Sequence, residues 1–138
     1  MTIAVSGNGI AGLSVALAVA NAGYDVTHFG IQPLKPPLGG IQLAPNGWQA
    51  LKFLGLFDIA MQRATKLKHI IVRDLSTNAT LTRLPLDNHY ASIRRADLFE
   101  ILQNTVATHN SIIANNSLIT HAINKHDCVD LVSNEGDN

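Results

Sequence analysis

Gly7, Gly9 and Gly12 follow directly on the apolar run Ile3-Ala4-Val5 and lead into a stretch with helical apolar spacing. No other feature of the chain narrows its fold as much. Glycines at this spacing let a strand turn sharply and bring main chain close to a pyrophosphate. They also let the following helix pack tightly on the sheet. The unpaired N–H groups and positive dipole end of that helix suffice to hold the diphosphate, so no basic side chain is needed. The first Lys or Arg is Lys35, well past the turn. The flanks meet the requirement on both sides. Thr2 to Ser6 reads as a short buried strand, and Ile10 to Ala22 places Leu13, Ala16, Leu17 and Ala20 at helical spacing before a C-cap at Gly23. Asp25 to Phe29 is a second strand, which completes a β-α-β unit.

Composition closes off several function classes. Ten Lys plus Arg balance ten Asp plus Glu across 138 residues. With no basic field, neither nucleic acid nor an anionic membrane surface is an expected partner. At 46% hydrophobic residues the chain is expected to fold as one well-cored domain. No apolar stretch is long enough for a membrane span and the N-terminus opens on a strand, so a cytoplasmic protein is expected. Cys128 is the only cysteine, which excludes an intramolecular disulfide and a paired-cysteine metal site.

Beyond the β-α-β unit, Gly30 to Leu38 carries Pro33, Pro36 and Pro37 and reads as a stiff loop. Gly39-Gly40 follows, a pair able to lie against a flat ligand, then an extended Ile41 to Leu43. A helix starts at Pro45-Asn46 with Trp48, Leu51 and Leu54 on one face and breaks at Gly55. Leu56 to Met61 is a further short helix. Lys68 to Leu75 and Ala79 to Leu84 read as strands joined by a turn at Ser76-Thr77-Asn78, and Ala91 to Arg94 as another extended segment. Asp97 to Thr108 is a helix with Leu98, Ile101, Leu102 and Thr105 inward. Ile112-Ile113, Leu118 to Asn124 and Cys128 to Val132 are strands, and Asn134 to Asp137 is a turn. His121 and His126 lack a cysteine or carboxylate cluster at ligand spacing and read as surface-loop residues, so no metal is expected. His28 reads as a packed or rim residue, Cys128 as a core or edge residue and Trp48 as a packing anchor.

Three blocks in order carry a family resemblance. Val5-Ser6-Gly7-Asn8-Gly9-Ile10-Ala11-Gly12-Leu13-Ser14 resembles the opening of the FAD-dependent aromatic hydroxylase-type monooxygenases, the salicylate and para-hydroxybenzoate hydroxylase-like family. Gly39-Gly40-Ile41-Gln42-Leu43-Ala44-Pro45-Asn46-Gly47, with Leu51 and Leu54-Gly55-Leu56, is similar to its second signature, and Arg95-Ala96-Asp97-Leu98 to its third. The resemblance covers residues 1 to about 108. It implies an α/β fold: a Rossmann-like FAD-binding β-α-β core with additional strands, stopping before the C-terminal part of the family's fold. Residues 1–138 would then be an N-terminal FAD-binding domain, incomplete relative to the family. Gly7, Gly9, Ile10, Ala11 and Gly12 would hold the FAD pyrophosphate. Gly39 and Gly40 would approach the ribityl chain and flavin, and Arg95, in preference to Arg94, would reach the phosphate–ribityl portion. The implied activity is hydroxylation of a small, aromatic substrate with NADH or NADPH and O2. Because the cofactor performs that chemistry, no catalytic side chain is assigned.

Two departures leave alternatives open. The family ends its second strand in an acid that grips the adenosine ribose, whereas this chain has Gly30 there. A lost charge-assisted hydrogen bond costs about 1.5–3 kcal/mol, and the Gln32 amide is a possible substitute. The chain stops at Asn138, in a turn about where a strand would lead toward the first of the family's later Asp-Gly and Gly-Asp motifs, so a separately encoded C-terminal half is an open alternative as partner. The alternatives are a non-catalytic or degenerate nucleotide-binding fragment, and an NADP-binding module that uses Lys35 for the 2′-phosphate.

Overall fold

A first parallel sheet follows from the leading β-α-β pattern. In the computed structural model, which describes residues 1–31, 38–86 and 90–134, β1 (Thr2–Ser6) pairs in parallel with β2 (Asp25–Phe29). Residues 32–37 of the expected proline loop, with Gln32 and Lys35, and residues 135–137 of the expected final turn lie outside the described residues. Helix α1 (Ile10–Asn21) makes the crossover between the two strands. Its small residues allow close approach: Ala16 and Ala20 pack with Val5 and Val26, flanked by Ile3, Val19 and Ile112. The helix ends in a Schellman motif, with Gly23 N–H donating to Ala20 O (2.9 Å) and Tyr24 N–H to Val19 O (3.4 Å).

The chain divides into two compact units, Met1–Pro36 with Phe99–Asn138, and Pro37–Leu98. In the first, β8 (Ile112–Asn115) joins the parallel sheet beside β2, giving the order β1-β2-β8. β9 (Ile119–Asn124) and β10 (Val129–Ser133) form an antiparallel hairpin. Cys128 is exposed and precedes β10, so the expectation of a strand core or edge residue is corrected. The cause is a tight connection in which Lys125 N–H donates to Cys128 O at 2.8 Å.

The second unit is built on β3 (Gly40–Leu43), α2 (Pro45–Phe53), α3 (Phe57–Arg63), a two-residue β4 (Thr65–Lys66), β5 (His69–Arg73), β6 (Thr80–Pro85) and β7 (Ala91–Arg94). β7 is central to one sheet, with β3 and β4 antiparallel on either side. β5 and β6 form a separate two-stranded ribbon. Pro45 opens α2 at a position where its missing N–H costs nothing. Trp48, Leu51 and Leu54 are buried, as their spacing requires, and the Trp48 ring meets Phe57 edge-on at 5.5 Å between centroids. Helix α4 (Arg95–Thr108) starts two residues earlier than its apolar pattern suggests. Asp97 holds its first turn through Arg94. Leu98, Ile101 and Leu102 are buried as expected, joined by Phe99 and Val106. Thr105 is only half-buried, because its hydroxyl donates back to Ile101 O at 2.8 Å.

Candidate functional site

Main-chain geometry shapes the turn between β1 and α1. Gly7 has φ +126°, a region closed to residues with a side chain, and its N–H donates to Phe29 O at 2.8 Å. Gly12 is required by contact: a Cβ there would fall 1.8 Å from Gly7 O and 2.7 Å from Gly7 C. Gly9 is different. Its φ of −94° suits any residue, and a Cβ there would meet nothing within 4 Å. Among the described residues, nothing in the packing requires glycine at position 9. The omitted side chain instead keeps clear the approach to the helix end. The first intrahelical bond is Leu13 N–H to Gly9 O (3.0 Å), so Ile10, Ala11 and Gly12 present their N–H groups at that end. No side chain caps the helix and no acidic residue lies in its first turn. The result, among the described residues, is an uncapped, positively polarised helix start with open space before it, which is a fit for an anionic diphosphate.

Two residues with no site role in the sequence reading complete this turn. His28 is buried, and its Nε2 lies 2.9 Å from Gly7 O. A carbonyl only accepts, so Nε2 carries the proton and donates. The signal was present in the alternation of Val26 and His28 toward one face of β2. Asn8 is buried at 7% exposure, and its Nδ2 donates to Ile31 O at 3.3 Å. Gly30 lies directly against it: a Cβ at position 30 would fall 2.4 Å from Asn8 Cβ. At the carboxyl ends of β2 and β8, Phe29 and Asn115 line a groove of about 620 Å³ that continues to Ile119 and Leu131. The carboxyl ends of parallel strands are where α/β sheets bind ligands.

In the other unit, the second and third sequence blocks meet through strand pairing, although they lie far apart in the chain. Gly40 pairs with Arg94, and Arg95 N–H donates to Gly39 O at 2.9 Å. Gly39 has φ +88°, whereas Gly40 has only ordinary contact with Ser92 Oγ at 3.4 Å. Adjacent arginines play different parts. Arg94 grips Asp97 with both ends of its guanidinium, Nε to Oδ2 at 2.7 Å and a terminal nitrogen to Oδ1 at 2.8 Å. The Arg95 side chain is exposed. His121 and His126 are exposed, and no group of three or more His, Cys, Asp or Glu converges among the described residues. No described helix is long and apolar enough to cross a membrane.

No family model matches the chain. It is 35% identical over 109 residues to 3-hydroxybenzoate 6-hydroxylase 1 of Aquipseudomonas alcaligenes, covering 72% of this chain and 28% of that protein. It is 37% identical over 109 residues to 3-amino-4-hydroxybenzoate 2-monooxygenase of Streptomyces cremeus, with the same coverage of each. The chain therefore spans little more than a quarter of these relatives' length. In fold it matches Klebsiella pneumoniae HpxO, solved with FAD and uric acid, with a TM-score of 0.81 and 24% identity over 99% of this chain and 36% of that one. The β-α-β turn, the paired signature blocks and these relationships agree: the chain is homologous to the N-terminal region of the FAD-dependent aromatic hydroxylases and monooxygenases.

Proposed function

We propose that this chain supplies the FAD-binding portion of a flavin-dependent monooxygenase, an oxidoreductase that hydroxylates a small aromatic substrate with NADH or NADPH and O2. The observation that carries this reading is Gly9, whose absent side chain, among the described residues, serves no packing need and leaves the start of α1 open. Gly7, Gly9, Ile10, Ala11 and Gly12 would hold the pyrophosphate through main-chain N–H groups and the helix dipole. In the other unit, Gly39 and Gly40 would approach the ribityl chain and flavin, and Arg95 would reach the phosphate–ribityl portion. Bound FAD supplies the electron transfer and oxygen activation. The residues of this chain bind it, orient it and fix its adenosine end. Residues 1–138 would form an N-terminal FAD-binding domain in the cytoplasm. The substrate pocket and remaining cofactor contacts would come from the rest of the relatives' length, in the same polypeptide or in a second one.

Calorimetric titration of the chain with FAD and with NADPH tests this reading. FAD is expected to bind and NADPH to bind far more weakly. Arg95→Ala should weaken FAD by about tenfold, while Arg94→Ala, whose partner is Asp97, should leave it nearly unchanged. Binding of NADPH alone would favour an NADP module. A pair co-expressed with the missing length that stays colourless in added FAD would overturn the proposal, and a coloured pair without hydroxylation would leave a non-catalytic binding fragment.

A further inference from the structure

His28 lies on β2, on the same buried face as Val26, where an apolar side chain would pack at no polar cost. A polar ring in such a place is destabilising unless it is bonded. The bond it makes is to the main chain of the glycine turn, Nε2 donating to Gly7 O at 2.9 Å across 21 residues of sequence. The next strand residue holds the same glycine at its other end, since Gly7 N–H donates to Phe29 O at 2.8 Å. Consecutive residues of β2 therefore clamp the two peptide groups that flank Gly7.

The clamp matters because Gly7 does little to hold itself. At φ +126° and with no Cβ, it leaves the peptide that follows it free to rotate. The oxygen of that peptide lies against the first turn of α1, so close that a Cβ on Gly12 would fall 1.8 Å from it. A rotated carbonyl would shift the surface on which Gly12 rests, and with it the N–H groups of Ile10, Ala11 and Gly12.

We propose that His28 is a positioning residue for the cofactor, which it does not touch. By fixing Gly7 O it fixes the seat of the first helical turn, and so the direction in which the amides of residues 10–12 meet the diphosphate. This rests on the flavin reading above. Donors already in place bind an anion without being reordered, so loss of the His28 bond is felt as lost affinity.

NMR and calorimetry on the full chain test this. Without ligand, the neutral His28 ring should carry its proton on Nε2, as a donor to a carbonyl must. His28→Phe should bind FAD and ADP about tenfold more weakly and shift the Ile10, Ala11 and Gly12 amide resonances. His28→Gln, which restores an N–H donor, should recover most of that affinity. Ile101→Val, a truncation at a buried position of α4, controls for stability lost elsewhere and should leave both affinities unchanged. The assignment fails if the neutral ring carries its proton on Nδ1, a result that needs no variant. It also fails if His28→Phe binds FAD within about twofold of the unaltered chain or leaves those resonances in place. Equal losses in His28→Phe and His28→Gln, or an equal loss in Ile101→Val, would overturn it too. An unaltered chain that binds neither FAD nor ADP would instead overturn the flavin reading, and this assignment with it.

Discussion

At position 12 the obstacle to a side chain is main chain. A methyl there would press on the carbonyl of Gly7 at 1.8 Å, and that carbonyl cannot swing aside easily because His28 holds it at 2.9 Å. Gly12→Ala should therefore force the start of α1 off β1 and cost about 3 kcal/mol, the upper range for overpacking. Urea denaturation measures this, and an unchanged midpoint would show that the turn is looser than its contacts indicate. His28 acts on the same carbonyl from the other side. His28→Phe fills similar space but leaves a buried acceptor unpaired, with an expected cost of about 1–2 kcal/mol. His28→Gln places an amide N–H near the lost Nε2 donor and should recover most of that cost. Equal losses for Phe and Gln would mean that the ring's packing matters and its hydrogen bond does not. Because both positions act through Gly7 O, the costs of Gly12→Ala and His28→Phe should not add.

Elements differ in how far local chemistry determines them. The loop between β5 and β6 is organised by one carboxylate: Asp74 Oδ1 accepts from Ser76 Oγ (2.6 Å), Thr77 N–H (2.8 Å), Ser76 N–H (2.9 Å) and Thr77 Oγ1 (3.0 Å). These donors, the Ser76 hydroxyl foremost, lower the Asp74 pKa to about 2 from 3.8. A depressed carboxylate pKa stabilises the turn fully above the ordinary value, and that contribution fades as pH falls from 3.8 toward 2. An NMR titration of the Asp74 carboxyl carbon should show its midpoint near 2, moving upward in Ser76→Ala. A midpoint at the ordinary value would show that this hydrogen-bonded turn does not persist in solution. The same locality explains what could be read from the chain. Helix ends marked by Gly23 and Pro45, and strands marked by β-branched runs, depend on neighbours in sequence, and they fall within a residue or two of expectation. The two-residue β4 carries no local signal, since only its pairing with Ser92 and Ala91 makes it a strand. The pairing of Gly40 with Arg94 and the contact of Asn8 with Gly30 join distant segments, so no residue on either side announces them. The three glycines of the first turn show the difference at one site. Spacing identifies all three, but only coordinates separate the strained Gly7 and the crowded Gly12 from Gly9, whose neighbourhood is empty of described residues.

Across the whole molecule, protection is unevenly distributed. β2 has a partner on both edges and carries Val26 and His28 at 1% and 5% exposure. Among the described residues the β5–β6 ribbon pairs only with itself, and Ile70, Ile71, Val72, Leu81 and Leu84 are exposed at 37%, 43%, 42%, 64% and 50%. A two-stranded ribbon without an apolar cover is marginal alone, so it should open without the rest of the chain unfolding. Amide hydrogen exchange should therefore be at least about a hundredfold slower at Val26 and His28 than at Ile71 and Leu84, because only global opening exposes the former. Uniform protection would mean that the ribbon is covered in solution, by a second copy or another partner, and dilution would then distinguish self-association. Added FAD gives the same measurement a second use. If the open end of α1 holds the diphosphate, exchange at Ile10, Ala11 and Gly12 should slow in proportion to occupancy, since each N–H would gain an acceptor where the helix provides none. Those three amides are the closest probe of the proposed contact, and ligand-independent exchange at all of them would separate the glycine turn from any binding seen elsewhere in the chain.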